Sequence, residues 1–188
     1  YTNSHGAFSI MSELRTNRII PRDGLPSGSS GGVIQVKSTT MTTNATYSIS
    51  GMTWTEVTPL TTAITPTRSD SKILCRVTFG GISSSGEGQR FGAALRRNST
   101  NIGVNSDGVN HTRANWAYTG RNRGNAFDGH IAFEHLDSPG TTSSVSYKVM
   151  LTSEGNGYTL YVNRSQSDSS SSSVFRTSCN LTLMEVSG

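Results

Sequence analysis

From Val33 onward, apolar and polar residues alternate in short runs, which is the pattern of β-strands with one face against a core. The clearest runs cover residues 33–36, 72–79, 90–96, 127–135, 145–151, 158–162 and 179–183. Weaker runs cover residues 46–49, 52–57, 60–64, 100–104 and 114–118. Turn-forming residues separate the runs, and one such turn is predicted at Gly80-Gly81. About ten short strands at roughly 8–12-residue spacing predict an all-β sandwich or barrel.

Residues 1–32 do not follow this pattern. Pro21 ends any helix that precedes it, because proline lacks a backbone donor, and residues 27–32 form a flexible glycine- and serine-rich connector. The apolar side chains of this segment are Leu14, Ile19, Ile20 and Leu25. They are too few to form a core, so we expect the segment to dock on its own domain or on a neighbouring chain. The predicted division is an extended N-terminal arm and hinge over 1–32 and a β-sandwich over 33–188.

Charge and hydropathy exclude several classes of protein. The chain has 188 residues and a formal net charge of +4, and lysine occurs only at positions 37, 72 and 148. The arginines are scattered, and zinc-finger, RNP-type and basic-helix motifs are missing, so we expect no specific nucleic-acid partner. No apolar run approaches the ~20 residues that cross a bilayer, so we expect no membrane insertion.

The histidines and cysteines do not form the spacings of a metal site. His130 and His135 lie on one predicted strand but on opposite faces of it, and His111 has no nearby partner of a ligating type. Cys75 and Cys179 both fall on the core-facing side of their strands, which favours buried free thiols. A Cys75–Cys179 disulfide is possible only if the two strands are neighbours or face each other closely. We expect no metal and no cofactor.

Catalytic patterns are also missing. The sequence contains no GxSxG or SxxK motif, and no cysteine has histidine support. Glu134 and Asp137 flank a predicted strand end, but nothing marks them as the paired acids that a glycosidase needs. We therefore expect that the protein is not an enzyme.

The region from Asn98 to Asn125 concentrates arginine, asparagine and isolated aromatic residues, which are common anchors of binding surfaces when loops hold them. Alternatively, Trp116 and Tyr118 belong to a strand and pack in the core or in a contact between subunits. Both interpretations are open. The candidate contact residues are Asn105, Asp107, His111, Arg113, Trp116, Arg121 and Arg123.

Five stretches of the sequence form an ordered set. The first runs from Leu14 through the glycine-rich connector to Lys37. The others are residues 64–74, residues 136–142 with 147–149, residues 161–165 and residues 181–186. Their order and spacing cover nearly the whole chain after residue 11. In this order they resemble tail-fibre-like virion proteins of marine bacteriophages, especially cyanophages.

The resemblance implies a virion surface component, made in the host cytoplasm, with a jelly-roll-like β-sandwich similar to C1q and tumour-necrosis-factor domains. It implies a homotrimer that contacts other virion proteins of the tail or capsid, and a host-surface polysaccharide or protein. The arm then anchors the module on the particle, and the candidate attachment residues are Leu14, Arg15, Ile19, Ile20, Pro21 and Leu25. The candidate contact residues become candidate receptor contacts.

Two alternatives stay open beside the tail-fibre-like interpretation. One is a capsid decoration protein whose sandwich forms a knob on the head. The other is a small depolymerase that acts on surface polysaccharide.

Overall fold

The computed structural model describes residues 32–107, 111–121, 124, 126–155 and 157–187. Its regular secondary structure within those residues consists of β-strands. They are β1 (Val33–Met41), β2 (Ala45–Ile49), β3 (Thr55–Ile64), β4 (Lys72–Ser84), β5 (Glu87–Arg97), β6 (Thr100–Ile102), β7 (Trp116–Arg121), β8 (Gly129–Asp137), β9 (Val145–Ser153), β10 (Tyr158–Val162) and β11 (Cys179–Val186). Each alternating run of the sequence corresponds to a strand, and 52–57 and 60–64 merge into β3. The six predicted attachment residues of the arm lie outside the described residues.

The strands form two antiparallel sheets. In the first sheet β1, β11, β4 and β8 lie side by side, and β10 and β2 continue from the last residues of β4. In the second sheet β3 pairs with β9 and β9 with β5, and both β6 and β7 pair with the other edge of β5.

The longer strands pass between the sheets in a jelly-roll order. In chain order, β1 belongs to the first sheet, β3 to the second, β4 to the first, β5 and β7 to the second, β8 to the first, β9 to the second and β11 to the first. The first and last strands, β1 and β11, pair with each other in the first sheet, and this arrangement is that of a jelly roll. The expected all-β, jelly-roll-like antiparallel sandwich is confirmed.

The core lies between the two sheets and follows from the alternation. Large side chains on the inner faces are almost completely buried, and each contributes about 1.5–3 kcal/mol by leaving water. The first sheet contributes Val77, Phe79, Ile131, Leu181 and Leu183, and the second contributes Phe91, Leu95, Tyr147, Val149 and Leu151.

The turn predicted at Gly80-Gly81 is wrong, because β4 continues through both glycines to Ser84. The strand register shifts between Phe79 and Ile82, and beyond this bulge β4 pairs with β10 instead of β11. A side chain at Gly81 would occupy the space of the Phe127 ring. The glycines therefore allow close packing at a strand bulge. Because glycine is typical of bulges as well as turns, the sequence alone indicated a turn here.

Cys75 and Cys179 are both free and buried, so the prediction of buried free thiols is confirmed. Their strands are neighbours, but Cys179 lies opposite Phe79 and Cys75 lies opposite Leu183, so the two thiols are separated along the strands. Burial raises the pKa of Cys179 to about 12 and also raises the pKa of Cys75. Both groups are protonated at neutral pH and behave as small apolar side chains.

Candidate functional site

Four of the seven candidate contact residues meet in one cleft. Asn105, Asp107, His111 and Arg113 all line it, and its volume is about 390 Å³. Residues 103–107 follow β6 and residues 111–115 precede β7, so two parts of one connection form the walls. The Oδ1 atom of Asn105 accepts a hydrogen bond of 2.6 Å from the backbone N–H of Asp107, which closes a tight turn at the rim.

A second cleft of about 300 Å³ adjoins the first. The two share the lining residues His111, Thr112, Ala114 and Ala117, and together we name them the loop cleft. The hydroxyl of Thr112 donates to the sulfur of Met52 at 3.9 Å, which connects the loop to the turn before β3.

Small residues that lie opposite one another on three paired strands form the floor of the loop cleft. Gly92 of β5 lies opposite Ala117 of β7 on one side and Thr152 of β9 on the other. A Cβ atom at Gly92 would lie 3.2 Å from both the Ala114 Cβ and the Trp116 carbonyl oxygen. The absence of a side chain there lets the connection before β7 lie directly on the sheet.

Asn115 fixes the end of that connection. Its side-chain oxygen accepts from the Leu95 backbone N–H at 2.8 Å, and its amide group donates to the carbonyl oxygens of Ile102 and Gly103 at 3.2 and 3.0 Å. Asn115 thereby bridges the gap between β6 and β7 along the edge of β5. Sequence reasoning did not single out this residue, since an asparagine in a polar loop has no distinctive local signal.

An ion pair lies at the rim of the second cleft. Arg90 Nε is 3.0 Å from Glu154 Oε2, and the Arg90 backbone N–H donates to Glu154 Oε1 at 3.0 Å. The Arg90 side chain is 79% exposed, so the pair contributes little to stability and its groups are accessible to a ligand. Thr152 and Ser153 also line this cleft, and their buried hydroxyl oxygens have no hydrogen-bond partner within the described part of the chain.

Trp116 lies on the inner side of β7, away from the loop cleft. Its ring stacks on Tyr118 with centroids 5.7 Å apart, and both rings contact Phe91 at the margin of the core. Of the two interpretations left open for Trp116 and Tyr118, the structure favours the strand and core role.

The remaining candidate residues are elsewhere. Arg121 lines a separate depression of about 490 Å³ with Glu87, Gly88, Thr119 and Gly120. Arg123 lies outside the described residues. The structure therefore brings together Asn105, Asp107, His111 and Arg113 and separates Trp116 and Arg121 from them.

The acids considered as a catalytic pair point in opposite directions. Glu134 forms an ion pair with Arg76 at 2.6 Å on the outer face of the first sheet. Asp137 is buried, accepts from the Tyr147 hydroxyl at 2.7 Å and is 2.9 Å from Arg97 Nη1. Burial, followed by the hydrogen bond to Asp137, raises the pKa of Tyr147. The Asp137 carboxylate therefore lies at the core, paired with Tyr147 and Arg97, and not beside Glu134.

Two observations complete the description of the site. Within the described residues, no group of three or more histidine, cysteine, aspartate or glutamate side chains is arranged to hold a metal ion. In the same part of the chain, no helix has the length and apolar character needed to span a membrane.

No family model matches the chain, and no curated protein matches it. Among solved structures, the infectious bursal disease virus VP2 subviral particle is similar, with 13% sequence identity and a TM-score of 0.37. The match covers 82% of this chain and 40% of that chain, so this chain spans less than half the length of VP2. At this level of similarity the match carries no functional argument.

Proposed function

We propose that this chain is a virion structural protein, a tail-fibre-like surface module whose loop cleft binds a polysaccharide of the host surface. The observation that carries the proposal is the convergence of Asn105, Asp107, His111 and Arg113 on one cleft of a rigid sandwich. The resemblance to phage appendage proteins, which extends over nearly the whole chain after residue 11, supports the virion context.

The chemistry of the loop cleft suits a sugar polymer. Ala114 and Ala117 provide apolar surface, and the exposed Met52 side chain joins them in the second cleft. Around them are the amide, carboxylate, imidazole and guanidinium groups of the rim. A pyranose ring has apolar C–H faces and a periphery of hydroxyls, so it can contact both kinds of surface at once. Two adjoining open clefts offer room for successive units of a chain.

The module acts by binding, with no bond made or broken. The opposite directions of Glu134 and Asp137 support this proposal over a depolymerase. Incubation of the protein with host envelope polysaccharide separates the two functions, since a depolymerase releases new reducing ends and a binding module does not.

Association of several copies strengthens binding to the host surface beyond what a single shallow cleft provides. We propose that the arm docks on other virion proteins and that three copies associate, as the resemblance implies. Several weak contacts on one particle then act together, because the first contact raises the effective concentration of the others. Electron microscopy of labelled particles separates a tail appendage, present in a few copies, from a capsid decoration protein distributed over the head.

The binding test uses the double variant H111A/R113A and immobilised envelope polysaccharide from a susceptible host. We expect binding to weaken at least about tenfold, which corresponds to about 1.4 kcal/mol. Arg68→Ala is the matched control, because Arg68 is also an exposed arginine but pairs with Asp70 outside the cleft. Equal binding by the double variant and the wild-type protein would remove the loop cleft from the proposal.

A further inference from the structure

A row of four apolar side chains crosses the outer face of the first sheet. Val36 of β1 lies opposite Met184 of β11, Met184 lies opposite Leu74 of β4, and Leu74 lies opposite Leu136 of β8. Leu74 and Met184 alternate with the buried residues Ile73, Cys75 and Leu183, and the strand register places Val36 and Leu136 on the same outer face. Val36 and Leu136, at the two ends of the row, are 53% and 49% exposed.

Exposed apolar residues are concentrated on this sheet. Six large hydrophobic residues are exposed in the described part of the chain, and four of them belong to β1 and β8: Val33, Ile34, Val36 and Leu136. Soluble monomers usually scatter such residues, and contiguous patches mark interaction surfaces. Beside the row lies a polar row with a 3.0 Å contact between the Ser38 and Thr182 hydroxyls and the Arg76–Glu134 ion pair. Apolar residues with polar groups beside them are usual in protein interfaces.

The face is large enough for a stable contact. Four strands about 4.8 Å apart give a width of about 19 Å, and eight or nine residues at about 3.3 Å each give a length of about 28 Å. The projected area is therefore on the order of 500 Å². This is of the same order as the ~800 Å² per partner that a standard interface buries.

The register makes the face complementary to itself. A second copy can be turned by 180° about an axis parallel to the strands, so that the two faces meet with the strand order reversed. Val36 of one copy then meets Leu136 of the other, and Met184 meets Leu74. In the polar row, the same operation places Arg76 opposite Thr182 and Glu134 opposite Ser38. No like charges meet in either row, and apolar residues meet apolar residues.

We propose that the outer face of β1, β11, β4 and β8 is a self-association surface on which a second copy of this chain packs face to face. This twofold contact is separate from the threefold association proposed above. It is also independent of the loop cleft, which lies on the second sheet. Failure of one therefore leaves the other unaffected, and the two are measured by different experiments.

The first test measures molar mass by sedimentation velocity over a concentration series of the full chain. We expect the wild-type protein to associate and the single variants V36K and L136E each to weaken association at least about tenfold, because each buries an unpaired charge. The double variant V36K/L136E is expected to recover part of the loss, since opposite charges then meet across the interface. Within one molecule the two positions are at opposite edges of the row and too far apart to pair.

The control variant is Phe175→Glu, which removes a 73% exposed apolar side chain from a loop outside this face. It is expected to associate like the wild-type protein. A monomeric wild-type protein at high micromolar concentration would overturn the proposal. Single variants that associate normally, or a double variant weaker than either single variant, would also overturn it.

A second measurement needs no substitution. Limited oxidation of the wild-type protein by peroxide, read by mass spectrometry, should modify Met184 more slowly at high protein concentration than at low concentration. Met52 is the internal reference, because it is exposed beside the loop cleft. Its oxidation rate is expected to be the same at every protein concentration. Concentration-independent oxidation of Met184 would contradict the proposal.

Discussion

Asn163 shows how much one buried polar residue does in this sandwich. It has a positive φ of 62° and no exposed surface. Its amide group donates to the carbonyl oxygens of Met41 and Thr43, each at 3.0 Å, and its Oδ1 atom accepts from the Cys179 thiol at 2.8 Å. Asparagine suits this position because it tolerates left-handed backbone and carries both donors and an acceptor. One side chain thus connects the end of β1, the end of β10 and the start of β11.

We predict that Asn163→Ala lowers the free energy of unfolding by about 3 kcal/mol, because it leaves several buried groups unpaired and strains the backbone. Urea denaturation measures the change. The control is Asn98→Gly, at an asparagine with φ of 52° beside Ser146 at the sandwich surface, where we expect a change below about 1 kcal/mol. Similar losses in the two variants would contradict a special role for Asn163.

Glu185 is a buried carboxylate that the fold keeps ionised. Burial by itself would raise its pKa, but hydrogen bonds from Gln35 and from the hydroxyl and backbone N–H of Thr67 lower the pKa to about 2 from an ordinary 4.5. The group is therefore more acidic in the folded chain than in the unfolded chain. Its contribution to stability is complete above about pH 4.5 and is lost as the pH falls toward 2.

We predict that the free energy of unfolding of the wild-type protein declines between pH 4.5 and pH 2 and that Glu185→Gln reduces this decline. Thermal unfolding at a series of pH values measures both. Asp70→Asn is the comparison, because Asp70 is exposed and its pKa is lowered by the hydrogen bond from Arg68. A Glu185→Gln profile parallel to that of the wild-type protein would show that another group causes the acid sensitivity.

At the scale of the element, β7 decides which residues reach the loop cleft. Its alternation places Ala117 on the outer face and Trp116 and Tyr118 on the inner face. The weak run at 114–118 indicated a strand, but not which aromatic residues would face the core. That choice depends on pairing with β5, where Phe91 offers an aromatic surface on the inner side only.

We predict that Ala117→Leu weakens polysaccharide binding by about tenfold, because the larger side chain fills the floor that the two clefts share. Stability should hardly change, since Ala117 is exposed on an edge strand. Thr119→Leu is the matched control: it adds an apolar side chain two residues along the same face of β7 but outside the loop cleft. Equal binding by both variants and the wild-type protein would exclude the shared floor as part of the site.

At the scale of the whole molecule, the described strands enclose one core between two sheets. The strand β1 begins at Val33, pairs with β11 along its length and contributes Met41 to the core. Among the described residues, the buried core side chains extend along the chain from Met41 to Leu183.

We therefore predict that deletion of residues 12–30 leaves the melting temperature of the sandwich within a few degrees of the wild-type value. The same deletion is expected to abolish incorporation into particles, measured by immunoblotting of purified virions. Incorporation of the shortened protein at the wild-type level would contradict the role of Leu14, Ile19, Ile20 and Leu25 in anchoring.

The sequence by itself determined the strands, their core-facing residues and the buried thiols, because these depend on the two-residue period of an extended backbone. It also marked the polar connection before β7 as a candidate surface. Only the tertiary structure decided the strand order, the bulge at Gly80-Gly81, the inward position of Trp116 and the register that aligns Val36 with Leu136 across four strands. Those features depend on contacts between residues distant in the chain. Local periodicity carries no information about which strands become neighbours.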